Sequence, residues 1–248
     1  MKKLIGLLLI LTAFQQTVMA QEKKGDNDGK KNTIHFNITN PIIFGSSLII
    51  GYERVLNNRH SFSVNFGTTG FPSLGIINAD SIKLVTIRDK KGYNFSVDYR
   101  FYLAKENKYA APRGVYIGPY YSFNTFKNKN DFLVKSSAGS TLNVESELKL
   151  NIHTVGFELG YQFVFWDRVT LDMILIGPGV ASYSLKASLG SNLSVADKEK
   201  LLEKLNDRLA AKFPGYELVI DDGEFKKTGS TNTTSFGYRY MLQIGFRF

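Results

Sequence analysis

The amino-acid sequence predicts an all-β protein, namely an eight-stranded antiparallel transmembrane β-barrel with long extracellular loops, one of which carries a short helix. Three observations support this prediction. The last strand alternates apolar with polar or small residues over 13 positions, Phe236 to Phe248, whereas a strand of a soluble protein usually has about 5 to 6 residues. Similar segments recur along the chain, separated by connections of contrasting length. Their second face is too polar for a soluble core but suits the lumen of a barrel.

The N-terminal 20 residues have the layout of a secretory signal peptide. Lys2 and Lys3 precede an apolar run that ends at Phe14, and a small residue, Ala20, stands before Gln21. The run is too short to span a bilayer as a helix, which takes about 20 residues. Residues 21–32 are polar and read as a periplasmic linker. We therefore predict a signal peptide at 1–20, a linker at 21–32 and one outer-membrane barrel at 33–248.

The charge balance is basic, with 31 Lys and Arg against 22 Asp and Glu and a formal net charge of +9. A basic chain can indicate a nucleic-acid partner. Here the basic residues are scattered among acidic ones and form no stripe in the sequence, so we expect no nucleic-acid partner. Attraction to anionic lipid head groups explains the balance better. The absence of cysteine excludes a disulfide framework and a lipid-modified N-terminal cysteine.

The first four predicted strands lie before residue 104. In the first, Ile34 and Phe36 alternate with polar residues, but Asn40-Pro41 interrupts the pattern. A tight turn at Asn57-Asn58 joins the second to the third, and the fourth alternates cleanly from Tyr93 to Leu103. The predicted ranges are 33–43, 48–56, 61–67 and 92–103.

The last four predicted strands are 114–127, 150–165, 169–185 and 233–248. The sixth has one apolar face from Val155 to Phe165, and Asp167-Arg168 turns the chain into the seventh. Pro119 and Pro178 each follow a glycine inside the fifth and seventh strands. Because proline cannot donate a hydrogen bond to a ladder, we predict a β-bulge at each Gly-Pro step.

The connections differ in length on the two sides of the predicted barrel. Residues 57–60, 105–113 and 167–168 are short connections, and 71–91, 128–149 and 186–232 are long ones. The tight turn that begins at Gly45 is the exception, because it lies on the side of the long connections. Transmembrane barrels have short periplasmic turns and longer extracellular loops, so both termini are expected in the periplasm. In the longest loop, apolar residues recur at helical spacing between Ser194 and Pro214 (Leu201, Leu202, Leu205, Leu209 and Phe213), which predicts a helix that packs as a lid.

Strand alternation directs four acidic and three basic side chains into the lumen: Glu53, Asp98, Glu158, Asp172, Arg100, Arg239 and Arg247. The interior of an eight-stranded barrel is just wide enough for side chains to fill it, and an unpaired buried charge is costly. We predict an ion-pair network that plugs the bore, with Asp98, Glu158 and Arg239 near mid-depth and Glu53, Arg100 and Asp172 nearer the periplasm. A narrow small-solute channel through the same groups is the alternative.

An enzymatic function depends on the three histidines, because some eight-stranded barrels modify lipid A with His and Ser at the outer leaflet. His35 and His60 are expected at the periplasmic end, and His153 near the outer end with Ser182 or Ser184 close by. The sequence gives no spacing that requires an orienting carboxylate, an oxyanion site, a phosphate-binding loop or a metal cluster. We therefore expect no catalytic residues, metal or cofactor, and keep a lipid A-modifying enzyme as an alternative.

The C-terminal strand resembles that of bacterial outer-membrane β-barrels, which end in Phe with apolar or aromatic residues two, four, six and eight positions earlier. The matching positions are Phe248, Phe246, Ile244, Leu242 and Tyr240. This resemblance implies recognition by the barrel-assembly machinery during biogenesis. It also implies location in the bacterial outer membrane, with outer-membrane lipid and lipopolysaccharide as partners.

Residues 33–248 also resemble the small outer-membrane barrels grouped with the OmpA transmembrane domain and OmpX. They are especially similar to barrels that carry Gly-Tyr-Glu-Arg-Val (Gly51 to Val55), Tyr-Arg-Phe-Tyr-Leu (Tyr99 to Leu103) and Ala-Pro-Arg-Gly (Ala111 to Gly114). The resemblance implies an architecture but no activity. We therefore expect a structural or surface-interaction role through the extracellular loops. Because the sequence ends at Phe248, we expect no wall-anchoring domain.

Overall fold

A computed structural model describes residues 29–44, 46–70, 78–79, 82–135, 141–189 and 230–248, with seven residues between 195 and 207. The predicted signal peptide and most of the predicted linker lie outside these residues. The strands are β1 (Asn32–Asn37), β2 (Leu48–Asn57), β3 (His60–Thr68), β4 (Asn78–Ala79), β5 (Ile82–Tyr102), β6 (Gly114–Lys135), β7 (Thr141–Phe165), β8 (Val169–Leu189) and β9 (Ser230–Arg247). A helix, α1 (Thr39–Phe44), follows β1. No helix in the described part is long and apolar enough to cross a membrane.

Eight of these strands form a closed antiparallel ring in the order β1-β2-β3-β5-β6-β7-β8-β9, and β4 only extends the edge of β5. The ring closes between β1 and β9, where Thr33 lies opposite Arg247. There the backbone N–H of Asn32 donates to the carbonyl of Phe248 at 3.1 Å, and the N–H of Phe248 donates to that of Asn32 at 2.8 Å. Closure therefore leaves no free edge along this part of the wall.

The two faces of the ring have opposite chemistry over its lower part. Large apolar side chains point outward, with Phe157 70% and Phe236 58% exposed. Glu53, Arg100 and Gln162 on the inner face are fully buried. In a bilayer a β-sheet satisfies all its backbone groups internally only when it closes into a ring, and its apolar face then meets lipid. These features confirm the predicted fold class, an eight-stranded antiparallel transmembrane β-barrel.

The first strand is shorter than predicted, because β1 ends at Asn37 and the chain turns into α1. The side chain of Asn37 accepts a hydrogen bond from the N–H of Asn40 at 3.0 Å, which caps the start of the helix. Pro41 fits the first turn of a helix, where no backbone donor is required. The prediction of a strand up to residue 43 is therefore wrong, and α1 contacts both β2 and β9.

The predicted bulge at Pro119 is absent, and that prediction is wrong. In the β5–β6 pairing, Asp98 lies opposite Tyr120 and Phe101 opposite Ile117, so the register is the same on both sides of the proline. The missing N–H leaves a gap in the ladder without adding a residue. The inward and outward parity of β6 is consequently preserved.

A bulge does occur in β8, but it precedes the Gly-Pro step. The register with β9 shifts between Ile174 and Gly177, and the neighbouring residues Leu175 and Ile176 both face outward. Two successive outward residues are what one inserted residue produces. The predicted bulge thus exists within a few residues of Pro178, and it reverses the parity of β8 there.

The strands on the outer side are longer than predicted. Most of the predicted loop 128–149 is strand, since β6 continues to Lys135 and β7 begins at Thr141, and β5 already begins at Ile82. Side chains still alternate in this region, but apolar side chains now point inward and polar ones point outward. Leu148 and Leu150 are buried, whereas Lys149 between them is exposed. We call the parts of β5 to β8 at 82–91, 126–135, 141–152 and 182–189 the outer extension.

The outer extension is built like a soluble sheet. Phe126, Phe132 and Leu185 join the buried leucines of β7 in the interior, which also holds the polar side chains of Asn128, Asn130 and Asp131. The lysines of this region, such as Lys129 and Lys149, are exposed on the outside. The outward face changes from apolar to polar near His153. This residue lies opposite Phe123 on β6 and Ser182 on β8. Below this level the outward face is apolar, as lipid requires, and above it the outward face is polar, as water requires. The level of His153 therefore marks the outer boundary of the apolar belt.

The predicted helix of the longest loop is present at the positions that the structure describes. These residues are helical: Val195, Ala196, Lys198, Glu199, Leu202, Glu203 and Asp207. Leu202 is 4% exposed, which agrees with the predicted apolar stripe. Leu201, Leu205, Leu209 and Phe213 lie outside the described residues.

Candidate functional site: the polar lumen

The lumen is lined by single inward residues from strands around the ring. β2 supplies Glu53, β7 supplies Glu158 and Gln162, and β8 supplies Asp172. β5 supplies both Asp98 and Arg100, and β9 supplies Arg239 and Arg247. Side chains from opposite walls meet because the bore of an eight-stranded barrel is about one layer of side chains wide.

Arg100 is the centre of the cluster nearer the predicted periplasmic end. Its Nε donates to Asp98 Oδ2 at 2.7 Å, and its Nη2 lies 2.9 Å from Asp172 Oδ2. Its Nη1 is 3.5 Å from Glu53 Oε1 and 3.1 Å from Gln162 Oε1. One guanidinium thus joins four strands, and its planar set of five donors suits this arrangement.

Most of the other hydrogen-bond donors at this depth surround the Glu53 carboxylate. Ser61 Oγ donates to its Oε1 at 2.6 Å, and Gln162 Nε2 donates to its Oε2 at 3.0 Å. His35 Nε2 is 3.2 Å from Oε2, and the Tyr102 hydroxyl is 3.1 Å from Oε1. The carboxylate is therefore satisfied by neutral donors as well as by Arg100.

Arg239 organises a second cluster. Its Nη2 lies 3.3 Å from Asp98 Oδ1, and its Nη1 lies 3.0 Å from Glu158 Oε2. Asp98 contacts both arginines, so the two clusters form one network across the bore. Asp98, Glu158 and Arg239 make one level, and Glu53, Arg100 and Asp172 the other, which is the grouping that strand positions suggested.

Tyrosines of β6 fill the space that the charged groups leave. The Tyr116 hydroxyl donates to Asp172 Oδ1 at 2.7 Å, and the Arg100 guanidinium lies 4.5 Å from the centre of its ring. β7 accommodates the ring with a glycine, since a Cβ at Gly160 would collide with it. Tyr120 lies in the same way under Arg239, at 5.0 Å. Cation–π contact and van der Waals contact replace water at these points.

The ion pairs join six of the seven residues that were assigned to the lumen. The seventh, Arg247, is buried at the periplasmic end of β9, opposite Thr33 in the register. His35, Gln162 and the two tyrosines were not assigned. His35 could have been found by parity, because its neighbours Ile34 and Phe36 face outward.

The network contains four carboxylates and two guanidiniums, so acidic groups outnumber basic ones. Neutral donors, namely Ser61, Tyr102, Tyr116 and the Gln162 amide, serve Glu53 and Asp172. Glu158 Oε1 has no hydrogen-bond partner among the described residues. Hydrogen bonds to a buried carboxylate replace those it would make with water. The arrangement thus holds several charges at low exposure.

The five residues of the predicted assembly signal all lie on the outward face of β9. Tyr240, Ile244, Phe246 and Phe248 are exposed, and Leu242 is half-buried. Arg239 and Gln243 on the same strand face the lumen. The strand therefore presents an apolar outward face to its surroundings, and its recognition by an assembly machinery remains a prediction.

His153 lies at the outer boundary of the belt with aromatic neighbours. Its Nδ1 is 2.9 Å from the Tyr121 hydroxyl, and its ring centre is 4.6 Å from that of Phe123. Ser182 lies opposite it in the register of β7 and β8. Among the described residues no group of three or more His, Cys, Asp and Glu could hold a metal ion.

A closed ring with an apolar outer belt and an ionic interior defines the class of the transmembrane β-barrels. No family model matches the chain, and no curated protein matches it. Among solved structures, it is similar to a major outer membrane protein from Thermus thermophilus, with 8% sequence identity and a TM-score of 0.38. That match covers 88% of this chain and 98% of the other. A likeness this weak adds nothing to the geometry given above.

Proposed function

We propose that the protein is an outer-membrane β-barrel of the small OmpA and OmpX-like type, with a closed lumen and a structural or surface-interaction role. The observation that supports this most is the network in which Arg100 and Arg239 join β2, β5, β7, β8 and β9 across the bore. A conducting path would have to break these contacts and hydrate every group. Such a lumen stabilises the barrel and leaves interactions to its outer end.

The outer extension supports the surface-interaction part of the proposal. It carries the chain beyond the apolar belt as a packed sheet, so what lies at its outer end is presented away from the lipid. The apolar outward face of β9 supports assembly as a barrel in the outer membrane. Lipid and lipopolysaccharide are then the surroundings of the belt, and the barrel-assembly machinery is the partner during biogenesis.

The closed lumen is tested by planar-bilayer recording of the refolded protein. We expect no steady conductance, because the guanidinium and carboxylate groups occupy the bore. Insertion is checked separately, by protection of the barrel from protease in vesicles. Steady and sizeable conductance from inserted wild-type protein would overturn the closed lumen and favour the narrow small-solute channel.

We also propose that the protein does not modify lipid A. His153 contacts Tyr121 and Phe123, and such contacts are usual for an aromatic residue at a membrane interface. Mass spectrometry of lipid A from cells with and without the protein is expected to give identical spectra. Cells that express His153→Ala serve as the matched control. A modification present with the wild type and lost with His153→Ala would establish the enzyme instead.

A further inference from the structure

Four lysines lie side by side on the outward face of the outer extension. Lys91 is opposite Lys127 in the β5–β6 register, Lys127 is opposite Lys149 in β6–β7, and Lys149 is opposite Lys186 in β7–β8. We call these residues the lysine row. Far apart in the sequence, they form a basic stripe that the linear order of charges did not reveal, so the expectation of no stripe is wrong for the folded chain.

The like charges of this arrangement repel one another. Residues directly opposite in adjacent strands have Cβ atoms roughly 4.5–5.5 Å apart, and like charges there destabilise the sheet. Four strands at about 4.8 Å spacing make the row roughly 14 Å wide. A single small anion covers only part of that width, so the row suits a ligand with several negative groups.

The carboxylates in contact with the row neutralise only part of it. Glu147 lies 2.7 Å from Lys127 Nζ and 3.4 Å from Lys129 Nζ. The hydrogen bond from Lys127 lowers the pKa of the Glu147 carboxyl below its ordinary value. Lys149 and Lys186 are exposed and have no carboxylate contact among the described residues. Within the described part of the chain, the positive charges of Lys149 and Lys186 are therefore not neutralised by a carboxylate.

The position of the row relative to the apolar belt indicates which anion is available. On β5 the lysine is two residues from Tyr93, the first outward aromatic residue, whereas on β7 it is four residues beyond His153, at the outer boundary of the apolar belt. Four residues correspond to roughly 13 Å along a strand and about 9 Å of height at a 45° tilt. The row therefore rises from the membrane surface to about 9 Å above it. One layer of phospholipid phosphates, within about 5–8 Å of the hydrocarbon, would not reach its upper end.

We propose that the lysine row binds the phosphate groups of lipopolysaccharide in the outer leaflet. This inference rests on the outer-membrane placement given under the proposed function. Phosphates carried on the sugars of a large lipid head group are distributed in height, as the lysines are. Lysine side chains also suit this setting, because their stems lie along the sheet while the ammonium groups reach outward. Charge attraction at a membrane surface strengthens binding about fivefold for each basic residue.

The test compares binding of purified lipopolysaccharide to refolded protein in detergent, before and after enzymatic removal of the phosphates from the lipid. Wild-type protein is expected to bind the phosphorylated lipid more tightly, with an affinity that falls as salt is raised. The double variant K149Q/K186Q is expected to bind about tenfold more weakly or worse. The matched control K105Q/K108Q removes two exposed lysines from the opposite end of the barrel and is expected to bind as the wild type does.

A second variant is expected to change the affinity for lipopolysaccharide in the opposite direction. Glu147→Gln frees Lys127 and Lys129 from their carboxylate, so it is expected to strengthen binding. Equal affinity for both forms of the lipid, or unchanged affinity in K149Q/K186Q, would overturn the proposal. Binding is measured on purified protein, so a failure here is distinguishable from a failure of the closed lumen, which is read as conductance.

Discussion

Replacing Arg100 with alanine is expected to lower the free energy of unfolding by about 3–5 kcal/mol, because breaking a buried ion pair from one side leaves uncompensated charge. Arg100 contacts Glu53, Asp98 and Asp172, and all of these side chains are fully buried. Alanine supplies no donor to any of them. The change is measured by urea unfolding of the refolded barrel in detergent.

The matched control is Arg54→Ala, one residue along β2 from Glu53 and on the outward face. Arg54 is exposed and hydrogen-bonds to Asn32, so its loss is expected to cost about 0–1 kcal/mol. The double variant Arg100→Met/Asp172→Asn is expected to recover part of the loss, since fewer carboxylates then remain without a partner. Equal effects of Arg100→Ala and Arg54→Ala would show that the network contributes nothing specific.

Replacing Leu159 with arginine is expected to cost about 2–4 kcal/mol in lipid vesicles, the range for a basic residue on the lipid face near the bilayer midplane. Leu159 lies in the middle of the outward apolar run of β7, which extends from Val155 to Phe165. A guanidinium there must reach towards a head-group layer or draw water into the hydrocarbon. Unfolding is followed by intrinsic fluorescence of the inserted barrel.

Asn151→Arg on the same strand and the same face provides the comparison. Asn151 lies beyond His153, on the polar side of the boundary, and the substitution is expected to cost about 0–1 kcal/mol, the range near the interface. The difference between the two arginines measures the depth of the apolar belt. Similar costs at both positions would contradict the placement of Leu159 in lipid.

Alternation of side chains was sufficient to predict the architecture. A period of two is a local property of an extended chain, and it survives wherever the strand is regular. It placed β7 and β9 with the correct faces, and it directed Asp98 and Arg239 inward. Closure of the ring followed from the even number of such segments.

Where the structure differs from the prediction, the physical cause cannot be deduced from the alternation of side chains alone. α1 formed because the Asn37 cap and Pro41 favour a helix start over a further strand residue. The polar outward face of the outer extension favoured a loop prediction, although its alternation persists with Leu148 and Leu150 inward. The outward face changes from apolar to polar where the surroundings change from lipid to water. The strands beyond that boundary can be predicted correctly only if its position along the chain is known.

The members of the lumen network could be assigned only in part for a similar reason. Parity states which side chains enter the bore, but not which of them meet. Gln162 contacts both Arg100 and Glu53 through partners 62 and 109 residues away in the chain. Such contacts depend on how the strands are staggered around the ring, and stagger is a property of the closed barrel.

The length of the outer extension also determines how far the strands project beyond the apolar belt. β7 runs for 12 residues beyond His153, from Thr141 to Ile152, which is roughly 40 Å along the strand and about 28 Å in height at a 45° tilt. The tips of β6 and β7 therefore stand well above the outer boundary of the apolar belt. A large soluble macromolecule can touch them without reaching that belt, and bilayer thickness does not alter their elevation.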